Sequence, residues 1–363
     1  MIESMSLKKS YLVVVGARPN FIKAAPLFKR VKEYNDLEFT LVHTGQHFDT
    51  NMSKIFFDQM GIPKPDIQLE IEGELYSEKL GKMFSALKKI VKDPKYQGII
   101  VFGDINSTLA GAIAASSTSK KLIHIESGLR SHDRRMPEEL NRVITDHLSS
   151  KLFVTEQAGV DNLVLEGVDK NKIFLVGNIM IESIEIFKDT FDQSTIINDL
   201  RLEEKNYIVA TIHRAENTDK KEILEKILNI LCDVSKINQV VFPLHPGTRK
   251  LISNYGLGKY LESLVVIEPV GYIDFMKLVL GAKGVVTDSG GIQEETSHLR
   301  IPCCTLRDNT ERPVTLTLGT NKLFPIESMK SDEIINHLTK TDFNPKTIPF
   351  WDNQVSKRIL DLL

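Results

Sequence analysis

The sequence predicts two doubly wound α/β domains in series, Rossmann-like in plan, and three observations carry that prediction. Short β-branched apolar runs alternate with helical stretches along the chain, and almost every run ends in a polar, often glycine-bearing motif. The 363 residues are also too many for one ordinary core at roughly 100 to 200 residues per domain.

The runs fall at 12–15, 39–43, 98–102, 122–125, 152–155 and 173–176, then at 207–212, 240–244, 264–267, 284–287 and 303–306. Strands of near-continuous apolar character belong to parallel sheets covered by helices on both faces. The charged, weakly patterned stretch 188–205 marks the join. The expected division is an N-terminal domain over 1–178 and a C-terminal domain over 179–350. In 351–363, Val355, Ile359 and Leu362 recur near helical spacing, so the tail reads as a closing helix that returns to the first domain.

Composition removes several classes of function. Apolar residues at 42%, charged ones at 26% and a formal charge of -2 leave no global field to hold a polyanion, so no nucleic-acid partner is expected. The first apolar run is far shorter than a signal-peptide core or the roughly 20 residues of a membrane span, which points to a cytoplasmic protein with no membrane partner. Cys232, Cys303 and Cys304 lack metal-ligand spacing, so buried reduced thiols and no metal are expected.

The polar motifs follow the runs. They include Gly16-Ala17-Arg18-Pro19-Asn20, Thr44-Gly45-Gln46-His47, Gly103-Asp104, Glu126-Ser127-Gly128, His213-Arg214-Ala215-Glu216-Asn217, His245-Pro246-Gly247 and Asp288-Ser289-Gly290-Gly291. Open parallel sheets bind ligands outside the carboxyl ends of their strands, and two such edges facing each other would make one deep cleft, the expected site.

The sharpest signal is 287–295, a run that turns through small residues directly into a helix. Ser289, Gly290 and Gly291 let a ligand approach the backbone, and free N–H groups at a helix start suit a diphosphate. A tight turn capped by Asp288 or Ser289 reads equally well from the residues alone. Glu295, just beyond, is placed to hold the hydroxyls of a ribose. No GxGxxG follows the first run and no GxxxxGK[ST] occurs, which weakens dinucleotide and phosphate-loop readings.

Cations stand at run ends: Arg18, Lys23, His213 and Arg312. Aimed at a departing diphosphate, they would stabilise a transition state that gains charge, the alternative for each being a solvated or ion-paired surface charge. Carboxylates collect in the first half at Asp104, Glu126, Glu138 and Glu139. Asp104 reads equally as the cap of a helix beginning near Ser107, and Pro137-Glu138-Glu139 as ordinary helix-start grammar. Glu126 has the weaker structural excuse, because an acid ending a buried strand must be paired or functional. Between these carboxylates, 127–136 carries three arginines and Gly128, and suits a mobile flap.

The ordered strings GARPNFIKAAPL, TGQHFD, FGDINSTLAGAIAA, HIESGLRS, MPEELNR, TIHRAEN and TDSGGIQEE, then RDNTERP, span about 13–323 and resemble the non-hydrolysing UDP-N-acetylglucosamine 2-epimerases. The resemblance implies two Rossmann-like domains facing across a cleft, the glycosyltransferase-B-like architecture, in a homodimer without metal or other cofactor. It implies interconversion of UDP-GlcNAc and UDP-ManNAc by elimination of UDP and its re-addition to 2-acetamidoglucal. Asp104, Glu126 and Glu138 would be the proton-transfer groups. Arg18, Lys23 and His213 would contact the nucleotide or its departing phosphate, Ser289 to Gly291 the diphosphate, and Glu295 the ribose. Val270 and Phe275 fall in the stretch that lines the uracil pocket, core packing being the alternative. Arg142 lies within a family motif and equally suits pairing with Glu138 or Glu139 on its own helix.

Two departures qualify the resemblance. Ser127 follows Glu126 where alanine is usual, and 46–52 departs from the glutamine and methionine arrangement of allosterically regulated bacterial members. Activation by a second UDP-GlcNAc is therefore not carried over. The same region resembles relatives acting on UDP-2,3-diacetamido-glucuronate, which leaves the sugar open. A hydrolysing epimerase, often fused to a kinase domain, finds no room for one here. A glycosyltransferase of the same fold would need an acceptor surface that 1–150 does not clearly show. A noncatalytic nucleotide-sugar sensor would have no use for Asp104, Glu126 and Glu138.

Overall fold

The structure, a computed structural model, describes residues 8–45, 62–71, 73, 75–340 and 343–363. Its contacts divide the chain into one unit of Met1–Phe187 with Pro349–Leu363, and a second of Lys188–Ile348. The division falls within the helix Ile179–Phe191, past Asn178 and at the first residue of the charged stretch 188–205.

The first unit is built on a seven-stranded parallel sheet in the order β3-β2-β1-β4-β5-β6-β7. Its strands are β1 Lys9–Val15, β2 Leu37–His43, β3 Ile67–Gln68, β4 Tyr96–Phe102, β5 Lys121–Ser127, β6 Lys151–Val154 and β7 Ile173–Leu175. β1 pairs with β2 from Lys9↔Leu37 to Val15↔His43, and with β4 on its other side. Strand order therefore reverses between β1 and β4, where loops leave in opposite directions and open a crevice. Met83, Leu87 and Val91 of helix Tyr76–Val91 and the alanines of helix Asn106–Ser116 pack with Leu12, Val14, Ile99 and Val101 of the sheet. The tail forms the helix Val355–Leu360, tied down by Ser356 Oγ donating to Glu182 at 2.6 Å and by Arg30 Nε donating to Ser356 Oγ at 2.8 Å.

The second unit repeats the plan with a six-stranded sheet, β10-β9-β8-β11-β12-β13. Its strands are β8 Tyr207–Thr211, β9 Gln239–Pro243, β10 Val265–Ile267, β11 Gly284–Thr287, β12 Cys303–Thr305 and β13 Asn321–Leu323. Ile208 and Ala210 enter one core with Leu224, Leu228 and Leu231, while Tyr207 and Val209 enter another with Leu278 and Val279. A side-chain period of two, with both faces covered, is why the whole run is apolar. Order reverses here between β8 and β11. Cys303 and Cys304 are buried and free, whereas Cys232 is only half-buried, unlike the expectation for all three. No described helix is long and apolar enough to cross a membrane.

Candidate active site

The reversal in the first unit gathers Lys23, Gly103, Asp104 and Glu126. Helix Arg18–Arg30 begins just past β1, with Asn20 Oδ1 accepting from the amides of Gly16 and Ala17 at 3.4 Å each. Gly16 is required there, since a Cβ would stand 2.0 Å from Ser107 Oγ at the start of helix Asn106–Ser116. That junction is closed by the Thr44 and Ser107 hydroxyls at 2.6 Å. One turn into the first helix, Lys23 forms a buried ion pair and hydrogen bond with Glu126.

Glu126 is 4% exposed and holds a left-handed backbone, φ 68°, where the β5–β6 register shifts between Ile125 and Ser127. A non-glycine residue in that region costs of order 1–3 kcal/mol unless its surroundings impose it, and such sites cluster where side chains are aimed for function. Gly103, at φ 60°, directly follows the neighbouring strand β4; a Cβ there would lie 3.5 Å from both Glu126 Oε2 and Lys23 Nζ. The next residue, Asp104, is ion-paired with Arg142, and its carbonyl accepts from Asn141 Nδ2 at 2.8 Å. Two carboxylates thus leave adjacent strand ends, each with its own cation.

The helix Pro137–Leu148 supplies Arg142, and Glu139 rather than Glu138 is its partner, at 3.0 Å. Glu139 also accepts from Ser131 N, Ser131 Oγ and His132 N at 2.9, 3.0 and 3.0 Å. The expected flap is therefore anchored over Leu129 to Ser131, all buried, with Arg130 paired to Glu166 at 2.7 Å. Glu138 sits exposed at the helix start, as does Arg18 on its own helix. Asp104 does not cap the following helix, whose N-cap is Ile105.

In the second unit the reversal brings the ends of β8 and β11 together. Asp288 is fully buried: its Oδ2 accepts from the backbone N–H groups of His213 and Arg214, both at 2.9 Å, and from Asn217 Nδ2 at 3.2 Å, while Oδ1 faces His213 Nδ1 at 3.0 Å. Burial pushes the Asp288 carboxyl up, but the hydrogen bonds and charge of His213 and these amides outweigh it and leave it below the usual carboxylate range. Asp288 is thus not a cap; it orients a half-exposed imidazole, with His245 ring-to-ring at 6.2 Å. Burial, then His213, lowers the His245 pKa.

The helix Gly290–His298 starts with N-cap Ser289, whose side chain makes no capping bond. A Cβ on Gly291 would meet nothing within 4 Å, while one on Gly290 would stand 2.7 Å from Arg312 Nη1. Arg312 is fixed beside this helix start by Glu294 at 2.9 Å and Glu311 at 3.2 Å. Glu295 is buried against Tyr272, whose hydroxyl pKa is raised by burial first and then by the Glu295 carboxylate. Val270 and Phe275 pack against the apolar core of this unit.

The first-unit group thus comprises Lys23, Asp104, Glu126 and Arg142, and the second-unit group His213, Ser289, Gly290, Gly291, Glu295 and Arg312. Asp288, Asn20 and Gly103 carry no site assignment from sequence, and Glu139 stands there only among the clustered carboxylates. Glu139 carried a signal, its spacing of three from Arg142 on one helix. Gln46 and His47, with the rest of 46–52, lie outside the described residues.

The family model described as UDP-N-acetylglucosamine 2-epimerase matches residues 29–363. The UDP-N-acetylglucosamine 2-epimerase of Methanocaldococcus jannaschii is 37% identical over 360 residues, covering 97% of this chain and 98% of that protein. The UDP-2,3-diacetamido-2,3-dideoxy-D-glucuronate 2-epimerase of Pseudomonas aeruginosa is 43% identical over 315 residues, covering 86% of this chain and 87% of that one. The crystal structure of M. jannaschii UDP-GlcNAc 2-epimerase in complex with UDP-GlcNAc and UDP superposes with a TM-score of 0.88 at 36% identity, covering 97% of this chain and 99% of that one. With its motifs, its two sheets and a match over nearly its whole length, the chain belongs to the UDP-N-acetylglucosamine 2-epimerase family.

Proposed function

We propose that this protein interconverts UDP-GlcNAc and UDP-ManNAc without net hydrolysis. The observation that carries the reading is the pair of carboxylates, Asp104 and Glu126, leaving adjacent strand ends with Lys23 against Glu126 and Arg142 against Asp104. The C2 proton of an acetamido sugar is not beside a carbonyl carbon, so its direct removal is prohibitive. Breakage of the anomeric C–O bond gives oxocarbenium character that acidifies C2. A carboxylate then takes the proton, leaving 2-acetamidoglucal and UDP, and re-addition with a proton delivered to the other face inverts the centre. Each proton-transfer group contributes typically about 10² to 10⁴ in rate. We assign those roles among Asp104, Glu126 and Glu138.

His213, oriented by Asp288, and Arg312, beside the Gly290 helix start, are assigned to the departing diphosphate, as is Arg18; Ser289 to Gly291 seat it. Lys23 acts beside Glu126. Glu295 takes the ribose, and Val270 and Phe275 border the uracil. A cytoplasmic homodimer needing no metal or other cofactor belongs to the same proposal, checked by light scattering and by activity in chelator.

The test is proton NMR of the protein with UDP-GlcNAc in deuterated water. UDP-ManNAc bearing deuterium at C2, with no accumulating free sugar, is expected; free ManNAc with UDP would instead identify a hydrolysing enzyme. The 43% identity to the diacetamido-glucuronate epimerase supports a second reading, the same reaction on UDP-2,3-diacetamido-glucuronate, so that substrate is run in parallel.

A further inference from the structure

His124 lies inside β5, fully buried, with both ring nitrogens committed. Nε2 stands 2.8 Å from the carbonyl oxygen of Gly103, and Nδ1 stands 2.7 Å from Asp146 Oδ1. A carbonyl oxygen only accepts, so Nε2 carries a proton. Asp146 is engaged as an acceptor at its other oxygen too, with Arg130 Nη1 at 2.7 Å and the Gly128 amide donating at 3.1 Å. The Arg130 guanidinium and the Gly128 amide on Oδ2 hold the carboxyl ionised, and an ionised carboxylate only accepts, so Nδ1 carries a proton as well. Burial opposes charge on Asp146, yet the charges and hydrogen bonds of His124 and Arg130 hold its carboxyl below the ordinary range.

Arg130 also bonds both oxygens of Glu166 at 2.7 Å each, at the exposed end of the network. Lys23 and Glu126 lie past Gly103 and pair with each other.

We infer that His124 is a standing imidazolium which, with Asp146, positions Asp104 and Glu126. The pair is bonded to both turns that carry them. Gly103 immediately precedes Asp104, and Gly128 lies two residues past Glu126 with its amide on Asp146. Both glycines, and Glu126 itself, hold left-handed backbones, so the fixings stand where the chain is hardest to hold. The positioning role rests on the function proposed above, whereas the charge state does not.

The test uses the full chain labelled with ¹⁵N-histidine. The resonances lost in His124→Gln should show two protonated ring nitrogens in the folded protein. A single protonated nitrogen would overturn the imidazolium. With UDP-GlcNAc, His124→Gln, which keeps an N–H for Gly103, and Asp146→Asn should each lose about 100-fold in kcat, as a displacement near 1 Å does, at unchanged UDP affinity. Variants that unfold, keep wild-type turnover or lose UDP binding as much as turnover would overturn the positioning role. Wild-type protein inert toward UDP-GlcNAc would sink the functional reading, while the NMR result on His124 still decides the charge state.

Discussion

On the function proposed above, the two strand-order reversals carry opposite kinds of chemistry. The first unit sets its carboxylates among buried partners: Glu126 with Lys23, Asp104 with Arg142, and Arg142 with Glu139, on a backbone that is left-handed at Gly103 and Glu126. The second unit offers open backbone at Gly291, an uncapped helix start and a half-exposed His213 held from below by a buried Asp288. The difference teaches what each task needs. Proton transfer depends on the exact placement of a few atoms in a dry setting, so charges there are paired and pinned. Holding a diphosphate needs many donors and room, which glycines and a helix start supply without moving.

The comparison breaks first at the carboxylates. Asp104→Asn is expected to cut turnover by about 10² to 10⁴ while UDP binding persists, read by coupled assay and calorimetry. Turnover near wild type would remove Asp104 from the proton-transfer set.

Next comes Asp288→Asn, which keeps the shape but removes the charge facing His213. About 2 kcal/mol of stability should be lost near neutral pH, measured by urea denaturation. Because the native pKa of Asp288 is depressed, its stabilisation is present above the ordinary carboxylate range and is lost as pH falls through the native value. The gap between wild type and variant should therefore close in acid, and a gap independent of pH would deny the charge its part.

A similar loss is expected at the end of β2, where burial pushes the His43 pKa down to about 4 from 6.5. The unfolded chain binds a proton there before the folded one does, so stability falls as pH drops from above 6.5 toward 4. From about pH 7 to about pH 5 the contribution is about 2 kcal/mol, and His43→Phe should flatten that slope. The smallest effect belongs to Gly291→Ala, where the added carbon meets open space. Stability should hold while the Kd for UDP rises about tenfold, or about 1.4 kcal/mol; unchanged affinity would place the diphosphate elsewhere.

Much of this was legible beforehand, and the reason is physical. A strand buried on both faces must be apolar throughout, so the runs at 98–102 and 207–212 announce themselves, and the motifs at their ends fall where the fold opens. The short edge strands Ile67–Gln68 and Asn321–Leu323 did not, because so few residues carry no period. Nor does residue type reveal that Glu126 turns left-handed, that Glu139 rather than Glu138 faces inward, or that Asp288 serves His213 instead of a cap. Those facts depend on partners distant in sequence. His124 did leave a trace, a polar ring in the middle of an apolar run, which must find partners when buried.

The division of labour between the two regions is tested most directly by Glu126→Gln, with deuterium wash-in at C2 of UDP-GlcNAc and UDP affinity measured on the same preparation. The account predicts that wash-in falls by at least about 100-fold while the Kd for UDP stays within about twofold. Wash-in that persists while UDP binding collapses would contradict it, because Glu126 would then hold the nucleotide rather than move the proton.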